Sequence, residues 1–243
     1  MTAVGTERVY LRQLLSGRDF AVGDAVAASM VNYAYAIGDT VAHEAILVDP
    51  AYDPAGLIEL LGEDGFTVTG AIVTHYHCDH AGGLLGHERI AGITELLEAA
   101  LVPVYAQRSE IPWLERAGVL DASAFTPLDP GGTVVVGAIP ITAIATPGHT
   151  PGSQCLLVGD TLLTGDTLFL QGCGRTDLPG GDADALMHSL RNVLAPLDSS
   201  VRVFPGHAYD PAPSATLGTL IATNPVFAQL GVGRDTDETT GAS

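Results

Sequence analysis

The sequence contains no lysine: all ten basic residues among its 243 are arginine. Chemistry that needs a lysine amine is excluded, including Schiff-base catalysis, pyridoxal phosphate anchoring and the phosphate cradle of a P-loop. Positive charge of any kind is scarce. Ten arginines stand against 28 acidic residues, a formal net charge of −18. Such a surface repels phosphate backbones, so no nucleic-acid partner is expected. Cysteine is scarce too. Cys78, Cys155 and Cys173 are odd in number and widely spaced, which suits reduced thiols rather than a disulfide framework or a zinc knuckle. No apolar run approaches the roughly 20 residues that span a bilayer, so no membrane partner is expected either. The N-terminal stretch carries Glu7, Arg8, Arg12, Arg18 and Asp19 and lacks the apolar segment of a signal peptide. That predicts a cytoplasmic protein.

What is present is apolar and punctuated. Hydrophobic residues make up 47% and charged residues 16%, enough to bury a sizeable core. With 29 glycines and 15 prolines, the elements should be short and the loops many. Strands are predicted at 31–37, 44–48, 71–74, 101–106, 133–136, 141–145, 154–158, 161–163 and 201–204. A helix is predicted at 54–61, with Asp53 as N-cap and Pro54 at its first position. Further helices are expected at 111–117, 183–194 and 215–222. The stretch 84–100 has a helical period, broken at Ala91-Gly92. Two halves of strands followed by helical cover predict an α+β fold: an αββα sandwich of two packed mixed sheets with outer helices. One domain is expected over 1–230, with a helical insertion at about 84–100 and a polar tail over 231–243.

Eight histidines are unevenly placed, and three fall within His75-Tyr76-His77-Cys78-Asp79-His80. On the extended end of a strand, residues i and i+2 point the same way, so His75 and His77 can share one ion. Asp79 and His80 follow where the chain turns toward a helix and can hold a second. Three later residues repeat one device, a ligand at a strand end beside a glycine: His149 in Pro147-Gly148-His149, Asp166 in Thr164-Gly165-Asp166, and His207 in Pro205-Gly206-His207. Alone, each reads as a loop or capping residue. Together they complete two sites with a carboxylate able to bridge them. His43, His87 and His188 have no such context. Cys78 and Cys173 lie near the motifs and read as inert small side chains. Asp49 either braces the metal loop or caps the next turn.

These residues resemble the metallo-β-lactamase superfamily. His75-x-His77-x-Asp79-His80, then His149, Asp166 and His207, match its ordered motifs over about residues 30–210. The resemblance implies a cleft between the two sheets holding two divalent ions, zinc first, with iron or manganese as alternatives. By it, His75, His77 and His149 hold one ion and Asp79, His80 and His207 the other. Asp166 bridges, as does a water or hydroxide. Thr164 to Phe169 followed by Gly172-Cys173-Gly174-Arg175 is similar to glyoxalase II, the hydroxyacylglutathione hydrolase, in which counterparts of Arg175 and Tyr209 contact the thiol peptide. Gly172 to Asp177 is equally similar to the persulfide dioxygenases, which hold one iron through the counterparts of His75, His149 and Asp166. Two departures stand out. The helical C-terminal domain of full-length glyoxalase II has no counterpart in residues 208–243, and the stretch 84–100 is longer than the corresponding loop.

The implied reaction is hydrolysis of a small acyl thioester by a metal-bound hydroxide, with Asp79 orienting the nucleophile and Arg175 and Tyr209 as substrate contacts. The alternatives are an iron persulfide dioxygenase and a lactone or other ester hydrolase on the same metals. A non-catalytic binding module suits a complete ligand set least.

Overall fold

The computed structural model describes residues 8–232. The first-half strands are β1 (Val9–Leu15), β2 (Tyr33–Asp39), β3 (Glu44–Val48), β4 (Thr67–Ile72), β5 (Gly83–Leu85), β6 (Glu88–Ile90), β7 (Val104–Gln107) and β8 (Phe125–Leu128). Then come β9 (Thr133–Val136), β10 (Ile139–Ala145), β11 (Gln154–Val158), β12 (Thr161–Gly165), β13 (Arg202–Pro205) and β14 (Ala215–Thr216). The helices are α1 (Ala25–Met30), α2 (Pro54–Glu63), α3 (Cys78–Ala81), α4 (Ile93–Ala99), α5 (Ile111–Arg116), α6 (Ala183–His188), α7 (Leu217–Thr223) and α8 (Pro225–Leu230). One six-stranded sheet runs β1-β2-β3-β4-β7-β8, a second runs β14-β13-β12-β11-β10-β9, and β5 and β6 pair only with each other. Both sheets are mixed. The strands β3, β4, β7 and β8 are parallel neighbours in the first, and β12 and β13 in the second.

Alternation along the strands sets the layers. In β3, Ile46 and Val48 meet Ile141 and Leu156 of the second sheet, while Ala45 and Leu47 face outward beneath Leu57 and Leu61 of α2. In β12, Leu163 joins the inter-sheet layer and Leu162 packs outward against Leu186 and Phe227. Each fully buried Leu, Ile or Phe contributes about 1.5–3 kcal/mol. Three apolar layers thus separate helix, sheet, sheet and helix, the αββα arrangement predicted.

Two sets of hydrogen bonds tie the halves at opposite ends of β2. At its start, Tyr33 N–H donates to the Gly206 carbonyl (2.8 Å) and Ala208 N–H to the Val31 carbonyl (2.9 Å). At its end, buried Asp39 accepts from the Arg8 guanidinium (2.8 and 2.7 Å) and from the Ala138 N–H in the turn between β9 and β10 (2.7 Å).

The helix at 54 starts as expected, with the Asp53 carboxylate accepting from Gly56 N–H at 3.0 Å. The helical reading of 84–100 is corrected in its first half. Residues 83–90 form the β5–β6 hairpin, and only Ile93–Ala99 is helical. Gly86, at φ +64°, opens a two-residue turn, and glycine in that place closes a hairpin rather than continuing a helix. The strand expected from Val31 starts at Tyr33, because Val31 ends α1 in the left-handed region (φ 49°). The segments β1, α1, β8, β14 and α8 were not foreseen, and the helix expected from Ala215 starts at Leu217. The helix at 183–194 begins as α6 and runs on to Leu194 with π-type turns. Of the expected tail over 231–243, all but residues 231–232 lie outside the described residues.

Candidate metal centre

Strand ends from both sheets deliver the chemistry to one edge of the sandwich. His75 follows β4, His149 follows β10, Asp166 follows β12 and His207 follows β13, while α3 carries Asp79 and His80 with His77 at its N-cap. Two glycines are required by close approach to Asp166. A β-carbon on Gly206 would collide with Asp166 Oδ1, and one on Gly174 with the Asp166 carbonyl. The chain therefore passes close behind the carboxylate.

All seven expected ligands come together, six of them in two groups of three. His75, His77 and His149 offer ligand atoms within 4.8 Å of one another, and so do Asp79, His80 and His207. Asp166 lies between the groups, its Oδ2 3.7 Å from His149 Nε2 and 3.3 Å from His207 Nε2. Its Oδ1 is 3.4 Å from His80 Nε2.

Hydrogen bonds behind the rings fix which nitrogen faces the cleft. His80 Nδ1–H donates to Asp49 Oδ2 (2.9 Å) and His207 Nδ1–H to the Met30 carbonyl (2.8 Å). The two Nε2 lone pairs then face each other at 3.2 Å. Likewise His149 Nδ1–H donates to the Arg175 carbonyl (2.7 Å), which aims its Nε2 lone pair at His77 Nδ1, 3.0 Å away. The Thr74 hydroxyl donates to Asp49 (2.6 Å), so His75 Nδ1–H donates to Thr74 Oγ1 (3.0 Å) and Nε2 is left free. That His75 Nε2, with His77 Nε2 and Asp166 Oδ1, is buried without a hydrogen-bond partner. Opposed lone pairs and partnerless buried acceptors are costly unless a cation sits among them. The donor set fits one: imidazole nitrogens and carboxylates suit divalent zinc, iron or manganese.

The local field agrees. Burial and the neighbouring histidines push His75 well below the ordinary imidazole range. Burial also acts to lower His80, but Asp166, Asp79 and Asp49 outweigh it and hold that group up at about 10, so without an ion its Nε2 takes a proton in the ion's place. Burial would raise Asp166, yet His207 and His80 keep it below the usual carboxylate range. The pocket favours a positive charge at its centre.

Two bracing residues were missed and one was left open. Asn32 Nδ2 donates to Asp79 Oδ2 (3.0 Å), while its Oδ1 accepts from the Tyr52 hydroxyl (3.1 Å). Glu110, fully buried, accepts from Tyr76 N–H (2.7 Å), the Thr150 hydroxyl (2.7 Å) and Gly152 N–H (2.6 Å). It thereby joins the His75–His80 loop to the His149 loop. Neither had a local signal, since each partner lies dozens of positions away. Asp49, left between brace and cap, is a brace: it holds Thr74 N–H at 2.7 Å as well as His80.

The centre opens into a cleft of about 460 Å³. Its walls are mainly apolar, including Met30, Leu85, Phe169 and Leu178. Tyr209 stacks on His207 (ring centroids 4.7 Å apart, 7° between planes), and burial helped by Asp166 raises its hydroxyl to about 12. Arg175 also lines the cleft, but its guanidinium is held by Asp177 through two bonds of 2.6 Å. Cys78 and Cys173 stand at the cleft with thiols pushed up by burial, Cys78 to about 11.

The Metallo-beta-lactamase superfamily model matches residues 31–207. A probable polyketide biosynthesis zinc-dependent hydrolase from Bacillus velezensis, BaeB, is 32% identical over 198 residues, 81% of either chain. A hydroxyacylglutathione hydrolase from Anaeromyxobacter dehalogenans is 34% identical over 178 residues, 73% of this chain and 62% of that one. The crystal structure of ETHE1 from Myxococcus xanthus superposes with a TM-score of 0.74 at 28% identity, covering 90% of this chain and 85% of the other. Curated ETHE1 relatives carry the name persulfide dioxygenase.

Proposed function

The chain belongs to the metallo-β-lactamase superfamily, in the branch shared by glyoxalase II-like hydrolases and ETHE1, and on that premise we propose that this metal-dependent hydrolase cleaves a small acyl thioester. The observation that carries the reading is the convergence of seven donors, with the Nε2 lone pairs of His80 and His207 opposed, at the floor of one open cleft. His75, His77 and His149 would hold one divalent ion, Asp79, His80 and His207 a second, and Asp166 both. Zinc is the first choice, as in the name of the Bacillus relative. Metal ions in such a centre supply Lewis acidity, lowering the pKa of water toward neutrality and polarising a carbonyl.

The chain supplies the rest. Asn32 fixes Asp79 Oδ2 and leaves Oδ1 to orient the attacking water and accept its proton. Asp49, Thr74 and the carbonyls of Met30 and Arg175 hold the imidazoles in their ligating tautomers throughout. Tyr209, protonated at neutral pH, donates to the substrate at the cleft rim. Water adds to the thioester carbon, the carbon–sulfur bond breaks, and carboxylate and thiol leave. No general acid is required for a thiolate whose own pKa is about 8.5.

The likeness to ETHE1 favours a second reading, persulfide oxidation on one iron held by His75, His149 and Asp166. The variant His77→Ala separates the two. Thioester hydrolysis on two ions predicts at least a hundredfold loss of rate and loss of bound metal, measured by thiol release and elemental analysis. Retained iron with persulfide-dependent oxygen uptake would overturn the hydrolase reading.

A further inference from the structure

The hairpin β5–β6 stands outside both sheets and begins directly after α3, which carries Asp79 and His80. Its root is fixed. Gly82 packs against Gly92, and Gly83 sits so close to the Ala117 carbonyl that a β-carbon would meet it at 2.8 Å. Arg89, paired across from Leu84, donates to Glu95 (3.0 Å) and to the Gly118 carbonyl (3.4 Å). Alternation then gives the two leucines different tasks. Leu84 lies over the Gly118 turn, whereas Leu85 lines the metal cleft together with Phe169 and Leu178. Leu85 stays 41% exposed and Leu84 58%. The cleft wall is thus apolar but unfilled.

Among the described residues, the one guanidinium lining the cleft is already bonded twice to Asp177, so an anionic substrate group would have to compete for it.

We propose that the β5–β6 hairpin forms the acyl-binding wall, with Leu85 determining specificity, and that the site takes thioesters of apolar straight-chain acyl groups. The inference rests on the thioester reading for turnover but not for binding. A chain laid from the metal centre along Leu85 and Phe169 removes apolar surface of both partners from water. Each methylene so buried strengthens binding by up to about fourfold. Short or polar acyl groups gain nothing from this wall.

The test uses acetyl, butyryl, hexanoyl and octanoyl thioesters of one small uncharged thiol, with the metal-loaded protein. Amide isosteres of the same series, which cannot be turned over readily, are measured by calorimetry. We expect kcat/KM and amide affinity to rise together, at least tenfold from acetyl to hexanoyl. Leu85→Ser should flatten both series, Leu85→Met should restore them, and Leu101→Ser, at a residue 97% exposed elsewhere, should change neither. Turnover without chain-length dependence overturns the inference and leaves the thioester reading standing. No turnover, with amide affinity still rising with length and lost in Leu85→Ser, overturns the reaction and keeps the apolar wall. No turnover and flat affinities overturn both.

Discussion

Glu110 is one side chain holding two ligand loops, and it does so at a cost. Burial pushes its carboxyl from an ordinary 4.5 to about 6, against the three hydrogen bonds it accepts. The folded protein therefore binds a proton more tightly than the unfolded chain, and stability falls as pH rises from about 4.5 to about 6. The shift corresponds to about 2 kcal/mol. Glu110→Gln should abolish that part of the pH–stability slope. It should also turn an amide N–H toward one of the Tyr76 or Gly152 donors, costing about 1–3 kcal/mol and lowering metal occupancy. Denaturation from pH 4 to 7, with metal analysis on the same samples, checks both. An unchanged slope in the variant would reassign the pH dependence to another group.

At the scale of elements, strands carry the site and turns aim it. The strands β3, β9 and β11 were legible to the residue, because short runs of Val, Ile and Leu bounded by turn residues leave little choice. The strand-end positions of the candidate site were legible for the same reason: His149, Asp166 and His207 each follow an apolar run and sit beside a glycine. The hairpin at 83–90 was not legible, since Leu84, Leu85 and Ile90 also fit a helical spacing and the deciding signal was Gly86 alone. Asn32 was hidden because its partner, Asp79, is 47 positions away. The far end of β2 offers a test independent of the metals. Asp39 ties β1 and β2 to the turn between β9 and β10 through Arg8 and Ala138. Its pKa is held below the usual carboxylate range, first by Arg8, so its stabilisation is present above the unfolded pKa and is lost as pH falls through the folded one. Asp39→Asn should lower Tm at pH 7 and bring the variant and wild type closer together in acid, with metal content unchanged. A variant that kept its Tm but lost metal would contradict this division of labour between the two ends.

For the whole molecule, charge and metal act over longer range than any contact. At a net charge of −18, an anionic thioester approaches against the field and a neutral one does not. Raising salt from about 0.01 to 0.15 M shortens the screening length from about 30 to about 8 Å. KM for an anionic substrate should therefore fall several-fold while that for a neutral one stays constant, as steady-state kinetics on a matched pair would report. Equal responses would point to a local cation at the cleft. Removing metal should also destabilise the fold, because an ion bound only by the native state adds about 2.7 kcal/mol at a hundred times its Kd. A chelator should lower Tm, and added zinc should restore it. An unchanged Tm would mean that the seven ligands are held apart from any ion by the fold alone.

The backbone pairing of residues 31–33 with 206–208 has a consequence for biosynthesis. Synthesis proceeds at roughly 5–20 residues per second, so His207 emerges on the order of ten seconds after His75. Throughout that interval β2 lacks its partner from the far end of the chain, and His75 and His77 lack His149 and then Asp166. Two imidazoles on an unfinished sheet compete poorly with the cell's metal buffers. Loading is therefore an event of the completed chain, entered through the open cleft after release from the ribosome, and the metal taken is decided by what surrounds the folded protein then rather than by the order in which the ligands appear.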